Sequence, residues 1–257
     1  MKVKLKLSLF FTFLGFLATL ALLWVQESAT AELLEGIENA PSPFIINVIT
    51  VVQQVILTFL ASIIGLSLLP RVGLEVPFFR SLVDKTYSFS WSRSAILTAV
   101  FGGAVGSLII SLADTYVFSL QIPSLEDMNV PESWVKSLLM SVLYGGVWEE
   151  IFIRLFFMTL IIWLLSILFR KTAPQIPVWM YWAGIMVASV GFGIGHLPAT
   201  ASLFGELTTV LVVRAIVLNG VLGVFFGYLF WKKGLVYAMI AHVFYHVANF
   251  IIWMHIF

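Results

Sequence analysis

The stretch that decides the fold is Ser137–Phe169, which reads SLLMSVLYGGVWEEIFIRLFFMTLIIWLLSILF. A bilayer core about 30 Å thick is spanned by about 20 apolar residues. This stretch has 33 residues, of which only three are charged. As one straight helix it would measure about 50 Å. The sequence therefore predicts a transmembrane helix that tilts, protrudes or breaks, with Gly145-Gly146 as the predicted breaking point.

The rest of the chain has the same character. Of its 257 residues, 61% are hydrophobic and 11% are charged, whereas soluble domains carry roughly 25% charged residues. Six further stretches are long enough to span a bilayer: Leu7–Val25, Phe44–Leu69, Ser94–Phe118, Val178–Pro198, Leu207–Trp231 and Leu235–Phe257. We expect a single all-α membrane domain over 1–257, a polytopic transmembrane helical bundle of about seven spans, or eight if the fourth stretch is broken.

Charge and cysteine content exclude several functions. A formal net charge of +1 offers no cationic surface that could follow a phosphate backbone, so nucleic acid is not an expected partner. The chain has no cysteine, which excludes thiolate nucleophiles and cysteine zinc sites. Membrane lipid is the expected partner of so apolar a chain.

The distribution of lysine and arginine predicts the orientation, because these residues accumulate in cytoplasmic loops. Lys2, Lys4 and Lys6 precede the first span, and acidic residues follow it. We therefore expect a cytoplasmic N-terminus in an integral protein of the cell (plasma) membrane. The alternative is a cleaved signal peptide ending near Ala29-Thr30-Ala31, although the first apolar run exceeds the usual length of 7 to 15 residues.

Three charges lie within the fourth stretch, where each costs about 2.5 to 3.5 kcal/mol on insertion scales. Glu150 and Arg154 are four residues apart, which places them on one helical face and predicts an ion pair. Glu149 lies about 100° away around an α-helix and needs another partner. The alternative is that both glutamates share Arg154 as a structural clamp.

Histidines are the other candidates. His196 ends the glycine-rich segment that begins at Gly191, which allows a broken helix lining a cavity. His242 and His246 are four residues apart and so share a helical face. A single histidine in a membrane helix is often only an interhelical donor, but three of them together with Glu149 indicate a functional site.

These residues resemble a known family. Glu149-Glu150-Ile151-Phe152-Ile153-Arg154, Phe192-Gly193-Ile194-Gly195-His196 and His242-Val243-Phe244-Tyr245-His246 are similar, in order, to the three motifs of the CPBP family. That family includes the CAAX prenyl endopeptidases and the bacteriocin-processing or Abi group. One position differs, since the family has Asn or Asp where this chain has His246, and the nearest asparagine is Asn249.

The resemblance implies an intramembrane endopeptidase that acts on a peptide or protein substrate at the membrane. Its CPBP/Abi-like catalytic core would cover 134–250, and its site would contain Glu149, Glu150, Arg154, His196, His242 and His246. Glu149 would be the general base, His196 would share the attacking water, and His242 with His246 would stabilise the oxyanion. No cofactor is favoured. A metalloprotease is the alternative, in which Glu149, His196, His242 and His246 form a zinc shell.

Two other classes remain open at this stage. Buried carboxylates and histidines also form proton relays, so a proton- or ion-coupled transporter is one alternative. A non-catalytic scaffold or bacteriocin-immunity protein of the same fold is the other. Straight helices would leave His242 at a different depth from Glu149 and His196. A shared site therefore requires the fourth and fifth spans to be broken or steeply inclined near their glycines.

Overall fold

The structure is a computed structural model that describes residues 2–34, 40–122, 125 and 133–256. The described residues form helices and no strands. The long helices begin and end as follows: α1 Lys2–Leu34, α2 Pro43–Leu68, α4 Arg93–Ala113, α7 Val178–Gly195, α9 Thr209–Lys233 and α10 Leu235–Ile256. Shorter helices are α3 Pro77–Val83, α5 Trp134–Met140, α6 Thr159–Leu168 and α8 Leu197–Phe204.

The prediction of an all-α bundle with seven spans is confirmed. Within the described residues, seven helical stretches are long and apolar enough to cross a bilayer: Lys2–Glu27, Pro43–Val72, Arg93–Phe118, Trp134–Leu168, Val178–Phe204, Thr209–Lys233 and Leu235–Ile252. Many large apolar side chains are exposed, such as Phe44 and Phe101, as expected where the solvent is lipid rather than water.

The predicted break at Gly145-Gly146 is wrong, and with it the eight-span alternative. The fourth stretch stays helical from α5 to α6 but is wound as a π-helix over Ser141–Glu149 (π1) and over Ile151–Met158 (π2). A π-helix forms i→i+5 hydrogen bonds and is wider than an α-helix, and such turns are frequent at functional sites. Gly145 and Gly146 are buried against α10, where an added Cβ would meet His246 and Val243. The glycines therefore allow close packing instead of ending the helix.

The fifth stretch is broken, as the sequence predicted. α7 ends at Gly195, His196 stands between the helices, and α8 begins at Leu197 with Pro198 in its first turn. Proline has no N–H to donate and fits the first turn of a helix. The break places the His196 side chain at the end of a helix rather than along its face.

Local signals start four of the helices. Hydroxyl oxygens of Ser42, Ser92, Ser133 and Thr208 accept hydrogen bonds from backbone N–H groups three residues on, as N-cap residues do. At the other end of α9, Gly234 has a φ of 104°, a backbone conformation that suits glycine. This turn lets α10 run back along α9.

Close contacts between helix backbones fix the position of α10, which carries two candidate residues. A Cβ at Gly103 of α4 would overlap the Ala241 carbonyl oxygen, and the Tyr245 nitrogen lies 3.0 Å from the same point. Likewise, α9 packs against α7, where a Cβ at Gly193 would lie 2.6 Å from the Ile216 Cα. Small residues at membrane helix interfaces permit this approach. The helices around the candidate site are thereby held in a fixed register.

Candidate active site

Three segments of the chain bring the candidate residues together inside the bundle: the π1–π2 junction, the α7–α8 break and α10. Glu149 ends π1, and Glu150 separates it from π2. His196 lies at the break between α7 and α8, and His242 lies in the first half of α10. In a π-helix more residues fill each turn, so consecutive side chains diverge less than in an α-helix. Both glutamates can therefore face the same part of the bundle.

Glu150 and Arg154 form a buried ion pair. The Arg154 Nε lies 3.3 Å from the Glu150 Oε2, and both side chains have no exposed surface. The other carboxylate oxygen of Glu150 accepts a hydrogen bond of 3.0 Å from Nδ1 of His242. Each carboxylate oxygen of Glu150 therefore has a partner, a cation for one and an imidazole for the other.

Aromatic rings complete the surroundings of Arg154. Its guanidinium nitrogens make no hydrogen bond to any side chain or backbone group in the described part of the chain. Its Cζ lies 5.4 Å from the ring centroid of Phe192 and 6.0 Å from that of Phe226. Within about 6 Å, the ring faces attract a cation. Two phenylalanines and one carboxylate thus surround this charge.

Glu149 has different surroundings. Its side chain is 15% exposed, and each carboxylate oxygen lies 3.8 Å from a histidine Nε2, Oε1 from that of His196 and Oε2 from that of His242. These distances are longer than a direct hydrogen bond and are in the range where a bridging water is to be considered. His196 is the most open of the three, with 32% of its side chain exposed. The more exposed part of this group therefore lies on the His196 side.

Hydrogen bonds fix which ring nitrogens face Glu149. Nδ1 of His196 donates to the Phe192 carbonyl oxygen at 2.8 Å, and Nδ1 of His242 donates to Glu150. A neutral imidazole has one donor and one acceptor nitrogen. Both Nε2 atoms therefore direct a lone pair towards the Glu149 carboxylate. A group that donates hydrogen bonds to these atoms would stabilise this arrangement.

His246 lies beside this group but does not join it. Its ring stacks on His242 with a centroid distance of 4.9 Å and an interplanar angle of 17°. Its Nε2 is buried without a hydrogen-bond partner among the described residues and lies against Gly145. Asn249 does not replace the family's Asn or Asp, because it lies on the α4 side, where its Oδ1 is 3.5 Å from the Ser111 Oγ.

The four residues expected to form a zinc shell do not all converge on one point. In the part of the chain that the structure describes, no group of three or more His, Cys, Asp or Glu side chains is arranged to hold a metal ion. Zinc is bound by nitrogen and oxygen ligands at about 2.0–2.2 Å in a tetrahedral set. His246 turns its unpartnered nitrogen towards Gly145, so the fourth expected ligand is not directed at Glu149.

Two further polar residues of the membrane segments, Arg214 and Asn219, have structural partners. Arg214 of α9 donates to both carboxylate oxygens of Asp114, at 2.7 and 2.6 Å. Asn219 donates to the Ala215 carbonyl oxygen one turn before it. The Asp114–Arg214 pair joins α9 to the end of α4.

Sequence reasoning missed Phe226. Its ring is fully buried and stacks on His242, with a centroid distance of 4.5 Å. It lies on α9, outside the three motifs, among many phenylalanines typical of a membrane helix. No pattern in the sequence distinguishes it from the others, since its role depends on which helix packs beside α10.

A family model described as Type II CAAX prenyl endopeptidase Rce1-like matches residues 131–248. Searches of curated proteins and of solved structures found no match. The matched range contains both glutamates, Arg154 and the three histidines discussed above. The match over residues 131–248 supports the resemblance to the CPBP family of intramembrane proteases, the family of the CAAX-type endopeptidases.

Proposed function

We propose that this protein hydrolyses a peptide bond of a membrane-associated substrate with a water molecule that Glu149 activates. One observation carries the proposal. Glu149 is the carboxylate of the buried cluster that lies beyond the ion pair with Arg154, is partly open, and has an imidazole nitrogen 3.8 Å from each of its oxygens. A general base must reach the proton it abstracts directly or through one water.

The chemical step balances with these groups alone. Glu149 takes one proton from the water as its oxygen forms a bond to the carbonyl carbon of the substrate. The resulting tetrahedral intermediate carries a negative charge on the former carbonyl oxygen. When the intermediate collapses, the carbon–nitrogen bond breaks, and the proton passes to the leaving amine. His196, with Nε2 next to Glu149, is the group that we propose orients the water and relays this proton.

We propose that His242 and His246 stabilise the oxyanion. Preorganised donors aimed at developing charge are often the largest contribution to catalysis. Since Nδ1 of His242 donates to Glu150, only its Nε2 can serve the substrate, and it can donate there only in the imidazolium form, which carries a hydrogen on both nitrogens. His246 stacks on His242, and its ring can donate through one nitrogen. It stands where the family has Asn or Asp.

The substrate that we propose is a membrane-associated peptide, CAAX-like or other. The family supports this class in general. We keep zinc-dependent hydrolysis as the alternative mechanism, to be tested directly with a chelator.

Cleavage by purified protein in proteoliposomes tests the proposal. The probes are a farnesylated CAAX peptide and an unmodified single-span peptide, each with a fluorophore and a quencher around the cleavage region. We expect Glu149→Gln and His196→Ala to abolish cleavage, while Glu75→Gln, a change of an exposed glutamate, retains it. If cleavage is unchanged in both site variants, the proposal fails. Proton uptake measured in the same vesicles tests the transporter alternative.

For the orientation, we propose a cytoplasmic N-terminus in the plasma membrane. Helix ends with basic residues lie together: Lys4 donates to the Ser67 Oγ at 3.0 Å, and the turn at Gly234 lies beside Pro77. The chain has no cysteine, so single-cysteine variants report accessibility without further changes. We expect an impermeant maleimide to label Ser42→Cys on intact cells and Lys85→Cys only after permeabilisation. The reverse pattern would contradict the orientation.

A further inference from the structure

His242 has to satisfy two directions at once. Nδ1 donates to Glu150 at 3.0 Å, and Nε2 lies 3.8 Å from Glu149. A rotation of the ring about its bond to Cβ would break the first contact and turn the second nitrogen away from the reactive carboxylate. The orientation of the imidazole plane therefore determines where Nε2 points. The hydrogen bond at Nδ1 alone does not fix this orientation.

Phe226 of α9 supplies a surface against which that plane is set. Its ring lies 4.5 Å from the His242 ring, at an interplanar angle of 23°. The imidazole of His246 also stacks on His242, at 17°. Stacked rings at these separations attract each other beyond the area that they bury. His242 thus stacks with two rings, that of Phe226 on α9 and that of His246 on α10.

Phe226 is itself held rigidly. It has no exposed surface, and its neighbours on α9 fasten the helix on both sides. A Cβ at Gly227 would lie 3.1 Å from Ile185 of α7, and Phe225 fills the space beside Gly102 of α4. The same ring lies 6.0 Å from the Arg154 guanidinium. Phe226 therefore contacts both the imidazole and the cation that Glu150 holds.

We propose that Phe226 is a positioning residue that sets the ring plane of His242 and thereby directs its Nε2 at the reaction centre. This inference rests on the proposed function. It predicts that Phe226 affects turnover without contacting the substrate. A side chain of similar volume without a flat ring fills the space but leaves the imidazole free to rotate.

The kinetic test compares Phe226→Leu with Phe230→Leu, a change of an equally buried phenylalanine one turn along the same helix. We expect kcat to fall about 10- to 100-fold in Phe226→Leu with KM changed less than about 2-fold, since a displacement of 1 Å can cost this much. Phe230→Leu should lose less than about 3-fold. Equal losses of kcat in the two variants would overturn the proposal. If Phe226→Leu does not fold, Phe226→Met takes its place, because methionine adapts to irregular spaces.

A second measurement does not depend on cleavage. With ¹⁵N-labelled histidine, the chemical shifts of the ring nitrogens report which one carries the hydrogen, and the His242→Gln variant assigns the signals. We expect wild-type His242 to be protonated at Nδ1, and we expect averaged tautomers in Phe226→Leu but not in Phe230→Leu. Unchanged His242 signals in Phe226→Leu would overturn the inference, whereas cleavage that persists in Glu149→Gln would overturn only the proposed function.

Discussion

The two adjacent glutamates should respond in opposite ways to the same substitution. Glu150 is fully buried, accepts a hydrogen bond from His242 and faces Arg154 at 3.3 Å. Replacement by glutamine keeps the shape but leaves the buried guanidinium without this counter-charge. Removing one partner of a buried ion pair costs about 3–5 kcal/mol. We therefore expect Glu150→Gln to lower the folding equilibrium constant by about two to four orders of magnitude.

Glu149→Gln should leave stability almost unchanged. The side chain is 15% exposed, and its nearest polar neighbours are 3.8 Å away, so the substitution breaks no hydrogen bond among the described residues. We expect a change in the free energy of unfolding of less than about 1 kcal/mol, the scale of one hydrogen bond. Cleavage should fall by about 10²–10⁴, the usual contribution of a general base.

The assay is reversible unfolding by sodium dodecyl sulfate in mixed micelles, followed by the fluorescence of the nine tryptophans, with cleavage measured on the same preparations. The double variant Glu150→Gln/Arg154→Met is the control, because removing the cation as well should recover much of the lost stability. Equal destabilisation by Glu149→Gln and Glu150→Gln, with cleavage following only the folded fraction, would refute the separate roles of the two carboxylates.

Three further predictions concern the surroundings of the site. Gly145→Ala should reduce cleavage and destabilise the protein by about 1–3 kcal/mol, because the new methyl group meets the His246 ring, whereas Gly220→Ala, with only the Ser189 oxygen at 3.8 Å, should do neither. Asp114→Asn should lower stability by about 2 kcal/mol through the loss of charged hydrogen bonds to Arg214, yet leave kcat per folded molecule unchanged; a lower kcat would assign the pair to the reaction. Cleavage should persist after dialysis against 1,10-phenanthroline, and a loss that zinc restores would favour the metal-dependent alternative.

The transmembrane spans could be predicted from the sequence because lipid imposes a uniform requirement. A helix exposed to lipid must be apolar over about 20 residues, and hydropathy records this directly. The boundaries were harder to predict. α4 begins at Arg93, and the membrane span within α1 runs from Lys2 to Glu27, so both begin before the apolar stretches in the sequence. Polar residues at helix ends reach the membrane interface and can continue a helix that hydropathy ends.

The π-helical winding could not be predicted. The expectation that Glu149 points about 100° away from Glu150 assumes an α-helix. Winding with i→i+5 hydrogen bonds depends on what packs beside the segment. Here Leu155 presents its carbonyl to Gly65 of α2, and Gly145 lies against His246. These contacts join residues far apart in the sequence, so no local pattern indicates them.

The candidate site was predictable only in part, because some of its contacts lie within one helix and others join different helices. The Glu150–Arg154 pair depends on a spacing of four residues along one helix, which the sequence contains, and the structure has this pair. The direction of the His246 nitrogen and the contact of Phe226 with His242 depend on how α9, α10 and π1 meet. Contacts within one helix can be predicted from residue spacing, whereas contacts between helices depend on how the helices pack.

The two adjacent glutamates of the first motif thus differ in their burial, although they are the same type of residue. Glu150 contacts Arg154 on one side and Nδ1 of His242 on the other, which fixes its position. Glu149 meets the same imidazole through Nε2 but keeps an open side. Since one ring contacts both carboxylates, any movement that brings His242 closer to Glu149 draws it away from Glu150. The buried ion pair therefore limits how far the imidazole can move towards Glu149, the carboxylate that we propose activates the water.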